Sequence, residues 1–156
     1  MNIFAKLKAR FAGKAEPENL RLGRLGEAAA RKFLQKLGLK FLAANFRSER
    51  GEIDLVFRDE SQKGLAKIFL KPGIDCLVFV EVKARKRGGW TRPAAAVDAR
   101  KKLRLTRCAF DYLRLLRNPP IKIRFDVVEV LMEDAVVVEV RHLPNTFTLT
   151  PPFRYG

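Results

Sequence analysis

Histidine is nearly absent from this sequence. With His142 alone among 156 residues, neither a histidine-built zinc site nor a Ser-His-Asp triad fed by several histidines is supported. Cysteine is almost as scarce. Cys76 and Cys108 are the whole complement, too few for a disulfide framework and without a CxxC metal pair. One lies in an apolar strand-like run and the other in a helix-like run, and both read as buried free thiols of a reducing, cytoplasmic compartment. No apolar run approaches the roughly 20 residues of a membrane span, and the first residues lack the apolar stretch of a secretory signal. Acidic residues are in deficit as well: 17 against 32 basic ones, a net charge of +15. A surface that positive repels itself and attracts polyanions. Nucleic acid is therefore the leading expected partner, DNA ahead of RNA, with ribosomal RNA included and an anionic membrane surface behind.

What is abundant is apolar. A hydrophobic share of 47% suits one compact core, and the length suits one domain. The start places Ile3, Phe4, Leu7 and Phe11 on one helical face among Lys6, Lys8 and Arg10. It reads as a basic arm that runs, with its linker, over residues 1–18. A helix is expected from about Pro17 to Leu37, with Ala30, Phe33, Leu34 and Leu37 at three and four spacing and Gly38 as the stop. Extended segments follow at Lys40 to Arg47 and Glu52 to Arg58, around a turn at Ser48 to Gly51. Asp59 to Asp75 is polar and punctuated by Gly and Pro, with a short strand expected at Ala66 to Leu70. Cys76 to Ala84 is apolar on both faces except at Glu81 and Lys83, the pattern of a central strand. A basic, Gly-rich loop leads to Pro93, which is expected to open a long helix. Its apolar face is Ala96, Ala99, Leu103, Thr106, Phe110 and Leu113, and Asn118-Pro119-Pro120 ends it. Ile121 to Met132 and Ala135 to Val140 read as strands around a tight Glu133-Asp134 turn. The order implies an α/β domain over residues 19–147, a mixed sheet with one crossover helix, followed by a tail over 148–156.

The chemistry sits where packing alone would not put charge. In GEIDLVF, Ile53, Leu55 and Phe57 alternate with Glu52, Asp54 and Val56, so one face is apolar and the other begins with two carboxylates. In LVFVEVK, Val78, Val80 and Val82 fill one face while Phe79, Glu81 and Lys83 share the other. Glu81 is thereby drawn into a low-dielectric region, where an ionised carboxylate requires compensation from a cation or from Lys83. Glu27 points into the apolar stripe of its helix. Antiparallel pairing of the two strands would bring their acids together, but sequence does not set that register. Carboxylates without histidines suit a hard cation such as Mg²⁺ or Mn²⁺, which polarises a phosphodiester and activates water.

GEIDL (Gly51 to Leu55), FVEVK (Phe79 to Lys83), GRLGEAAA (Gly23 to Ala30), PAAAVDARKKL (Pro93 to Leu103) and RFDVVEV (Arg124 to Val130) together resemble the UPF0102/YraN family. That family looks like the PD-(D/E)xK superfamily, which includes archaeal Holliday-junction resolvases and type II restriction enzymes. The resemblance covers roughly residues 20 to 147. It implies a restriction-endonuclease-like core, a mixed sheet flanked by an N-terminal helix and a crossover helix. It further implies that Asp54 and Glu81 are metal-binding acids, Lys83 the catalytic lysine and Glu27 the helical acid of the resolvase-like branch. Glu52 is a further acid for a metal. A homodimer is implied by the resolvase-like relatives, although no interface pattern is visible. The stretch between GEIDL and FVEVK is longer than the family's short hairpin.

The basic run from Lys83 to Arg107 holds ten cations against one acid, Asp98. Arg85, Lys86, Arg87, Arg100, Lys101, Lys102, Arg104 and Arg107 are expected to meet phosphate, and Trp90 either stacks on an unpaired base or anchors its loop. Asp126 and Glu129 read as structural partners. Three functions compete: a metal-dependent endonuclease acting on DNA, branched or single-stranded DNA included; a nuclease fold that binds nucleic acid without cutting it; and an assembly protein whose basic face meets a protein or membrane.

Overall fold

The computed structural model describes residues 16–61, 75–88, 97–149 and 153–155. Residues 1–15 of the basic arm and its linker, the strand expected at Ala66 to Leu70, Trp90 and Pro93 lie outside the described residues. The first helix, α1 (Glu18–Lys36), buries Gly26, Ala30 and Leu34 and half-buries Phe33, whereas Leu37, read as part of the stripe, lies past the last turn and is exposed. Glu18 in its first turn and Lys36 in its last complement the helix dipole. Gly38 ends it at a φ of +90°, a left-handed conformation open to glycine. The amides of Gly38 and Leu39 donate to the carbonyls of Gln35 and Leu34.

Five strands follow: β1 (Lys40–Ser48), β2 (Gly51–Asp59), β3 (Cys76–Lys86), β4 (Lys122–Glu133) and β5 (Val136–Phe147), with helix α2 (Ala99–Leu115) between β3 and β4. They form one sheet in the order β1-β2-β3-β4-β5. All neighbours are antiparallel except β3 and β4, which run parallel, and a parallel pair needs a crossover such as α2. The mixed sheet flanked by two helices is the expected α/β architecture, consistent with a restriction-endonuclease-like core. No helix among the described residues is long and apolar enough to cross a membrane.

Each face of the sheet buries its own core. Leu55, Phe57, Val78, Val80, Val128, Val130 and Met132 pack with Ala30 and Leu34 of α1. Ile53, Val56, Leu77, Phe79, Phe125 and Val127 pack with Leu105, Cys108, Ala109 and Leu113 of α2. The side chains of β3 therefore divide as their alternation predicts, and both cysteines are buried free thiols.

Several expectations are corrected. Helix α2 starts at Ala99, not Pro93, because Asp98 caps it: the Lys101 amide donates to the Asp98 carboxylate at 2.8 Å. Its buried face runs through Leu105, Thr106, Cys108, Ala109 and Leu113, while Ala99 is exposed and Leu103 and Phe110 are half-buried. The β4–β5 turn falls one residue later than read, at Asp134 and Ala135, with φ of 49° and 62°, the positive pair of a tight hairpin. Strand β5 runs on to Phe147 rather than ending at Val140. A shift in register between Phe125 and Val127 and a left-handed Asn145 break the period that would have revealed it. The tail is packed where it is described: Phe153 and Tyr155 lie against Phe110.

Candidate functional site

The site forms at a fork in the sheet. The β2–β3 ladder runs from Asp59–Cys76 to Leu55–Val80 and stops, while β3 continues beside β4 as far as Lys86. One further step of that register sets Asp54 opposite Glu81. Instead of continuing the ladder, the Val82 amide donates to Asp54 Oδ2 at 2.7 Å. The β2 chain turns over here. Ile53 packs on the α2 side and Leu55 on the α1 side, although residues two apart in a regular strand share a face. The uninterrupted apolar face read for Ile53, Leu55 and Phe57 is therefore wrong, and the break coincides with the acid.

Glu81 is 5% exposed and lies between two ammonium groups, Lys83 Nζ at 3.2 Å from Oε1 and Lys101 Nζ at 3.1 Å from Oε2. The Oε2 contact is an ion pair without an aligned hydrogen bond. Burial pushes the Asp54 carboxyl up to about 7, and the negative charge of Glu81 adds to that. The Val82 amide and Lys101 pull it back, and Glu27 raises it slightly. Two adjacent carboxyls of which one resists ionisation are a configuration that a dication would relieve.

Glu27 reaches the same cleft from the other side of the fork. A cleft of about 380 Å³ is lined by Glu27, Asp54, Glu81, Val82 and Lys83 together with Asn19, Leu22 and Gly23 of α1. What permits this approach is Gly26: a Cβ there would stand 2.7 Å from the Cβ of Ala84, so α1 rests on β3 at a residue without a side chain. Asn45, at a φ of 52°, donates from Nδ2 to Glu27 Oε2 at 3.1 Å. Glu52 is not part of this group. It pairs with Arg47, Nε to Oε1 at 3.1 Å, and lines a second cleft on the α2 side.

The basic run separates into three sets. Arg85, Lys86 and Arg87 are held beside Glu129, Glu18 and Glu133 at 3.9, 2.6 and 3.3 Å. Lys101 and Lys102 turn inward, to Glu81 and over the ring of Phe147. Arg100, Arg104 and Arg107 remain exposed on α2. Asp126 is structural in the sense expected: at 1% exposure it accepts from Arg124 Nε at 3.0 Å, meets His142 Nε2 at 2.8 Å, and accepts the Asn145 amide at 2.8 Å.

Whether these residues suit a hard cation can be tested on their donors. Asp54 and Glu81 supply carboxylate oxygens side by side, an all-oxygen set of the kind Mg²⁺ or Mn²⁺ takes. Among the described residues, however, no three of His, Cys, Asp and Glu converge as ligands. The acid pair fits a cation; Glu27 lines the cleft without joining a triad. Sequence reasoning missed Asn45, Arg47 and Ser48, for which no periodic signal exists. It also missed that Lys101 reaches Glu81, which only the seating of α2 decides.

The family model described as "Uncharacterised protein family UPF0102" matches residues 26–130, a span that includes Glu27, Asp54, Glu81, Lys83 and Lys101. A UPF0102 protein of Acetivibrio thermocellus is 40% identical over 130 residues, covering 80% of this chain and 89% of the relative. Those of Geotalea daltonii and Trichlorobacter lovleyi are each 34% identical, covering 88% and 84% of this chain and 97% and 93% of theirs.

Proposed function

This chain belongs to the UPF0102 family, and on that premise we propose that it is a metal-dependent endonuclease hydrolysing phosphodiester bonds of DNA. The observation that carries the reading is the Asp54–Glu81 pair at the fork of β2 and β3, with Lys83 on the same strand face. Asp54 and Glu81 would hold Mg²⁺ or Mn²⁺, which supplies Lewis-acid polarisation of the phosphodiester and a more acidic water. The chain's own residues do the rest. The Val82 amide orients the Asp54 carboxylate. The Lys83 ammonium, 3.2 Å from Glu81, opposes the negative charge that builds on the phosphorane-like transition state. Arg100, Arg104 and Arg107 neutralise flanking phosphates.

The test is incubation of the protein with branched, single-stranded and duplex DNA, with and without Mn²⁺. Metal-dependent cutting that disappears in Asp54→Ala and Glu81→Ala is the expected result. Cutting that persists in both variants, or none on any substrate, overturns the proposal. One observation favours a second reading, a nuclease-like fold that binds nucleic acid without cleaving it: both oxygens of Glu81 face ammonium groups and no three-ligand cluster forms among the described residues. That protein would bind DNA in a salt-sensitive way and show no turnover with metal.

A further inference from the structure

The second cleft, about 440 Å³, opens between the β1–β2 turn and the first turns of α2. Its lining carries three cations, Arg47, Lys101 and Arg104, against one carboxylate, Glu52. The turn lies beside the helix: a Cβ on Gly51 would make ordinary van der Waals contact with the Arg104 carbonyl, 3.6 Å away. Lys101 is also the residue whose ammonium touches Glu81, at 3.1 Å, so one side chain lines this cleft and contacts the carboxylate pair. Arg104 is exposed, with no ion pair among the described residues. Arg47 is held by Glu52 at 3.1 Å in an exposed pair, the kind that costs little to open. The Ser48 hydroxyl is already engaged, accepting the Arg50 amide at 3.2 Å and lying 3.5 Å from the Cys108 sulfur. The cations, not the hydroxyl, are what the cleft offers an anion.

We propose that this cleft is a phosphate subsite for a nucleic-acid strand passing the Asp54–Glu81 pair, and that Glu52 restrains it by holding Arg47 in the free protein. The inference rests on the nucleic-acid part of the proposed function, not on cleavage. It gives Glu52 a role opposite to that of a metal acid: an internal competitor for the arginine that the strand's phosphate would take. A phosphate entering between Arg47 and Arg104 releases Arg47 from Glu52 and lies beside Lys101, whose ammonium stays shared with Glu81.

The experiment is fluorescence anisotropy of a short labelled single-stranded DNA oligonucleotide against the full chain, in metal-free buffer over a salt series. Lys32→Ala, exposed on α1 across the sheet, serves as the control for a lost surface charge. Arg104→Ala is expected to weaken binding about fivefold and to lower the slope of log affinity against log salt by about 0.7. Glu52→Gln is expected to tighten binding about twofold to fivefold. Each side chain is at least partly exposed, and a melting curve for each variant separates lost contact from lost fold. If the parent protein binds and Arg104→Ala matches Lys32→Ala, or Glu52→Gln binds no tighter, the subsite is overturned while nucleic-acid binding stands. A parent protein that binds no oligonucleotide overturns both.

Discussion

Replacing Asp54 by asparagine should stabilise the free protein, and more so as the pH rises. The Asp54 carboxyl is buried beside Glu81 and is pushed from an ordinary value of 3.8 to about 7. Below 3.8 both folded and unfolded chains carry the proton. Between 3.8 and 7 the unfolded chain ionises while the folded one does not, so stability falls by about 1.4 kcal/mol per pH unit. Above 7 the loss is complete, amounting to about 4 kcal/mol across the interval. Asparagine keeps an oxygen to accept the Val82 amide and carries no charge to bury. The stability of Asp54→Asn relative to the parent should therefore grow by about 3 kcal/mol between about pH 5 and about pH 8. Urea denaturation at the two pH values measures it, because other titrating groups cancel in the difference between variants. A dication binding the ionised pair should raise the melting temperature of the parent at the higher pH and leave that of Asp54→Asn nearly unmoved. A stability difference that stays constant between the two pH values would show that Asp54 is not the strained group described here.

Three further substitutions test the supports of the site. Gly26→Val should lower stability by roughly 2 kcal/mol in urea denaturation, since a Cβ there would lie 2.7 Å from Ala84 and overpacking outweighs the small gain in helix propensity; a neutral effect would mean that α1 is not seated on β3 as described. Asp126→Ala removes the acceptor shared by Arg124, His142 and the Asn145 amide and should cost about 3–5 kcal/mol, with a loss below about 1 kcal/mol contradicting the burial of the cluster. Asp98→Ala deletes the cap of α2 and should cost about 1 kcal/mol, read as a lower denaturation midpoint with an unchanged slope.

The elements with a regular side-chain period are legible in the sequence. Apolar residues at three and four spacing placed α1 to within about a residue. Alternation in β3 placed Val78 and Val80 on one side and Phe79 on the other. Where a residue breaks its own period, the reading failed. Alternation puts Ile53 and Leu55 on one face, yet they lie on two, because β2 turns over at the fork. Asn145 takes a left-handed φ, which hid the last residues of β5. Helix α2 starts at Ala99 because the Asp98 side chain caps it, a signal that a proline five residues earlier obscures.

The same division runs through the site. Sequence alone determined that Glu81 and Lys83 share a face of a buried strand and that Glu27 sits on the apolar stripe of its helix, because side-chain direction follows from the period of one element. It also determined the excess of positive charge. Tertiary structure decided which of those charges meet. The β2–β3 register, which ends at Leu55 and Val80, left Asp54 at the fork beside Glu81, its carboxylate on the Val82 amide. The seating of α2 carried Lys101 inward to Glu81 and left Arg104 outside, and the β1–β2 turn placed Glu52 with Arg47 in the neighbouring cleft, away from Asp54. Electrostatic partnership depends on distances of a few ångströms between segments far apart in the chain, and no local period encodes those distances.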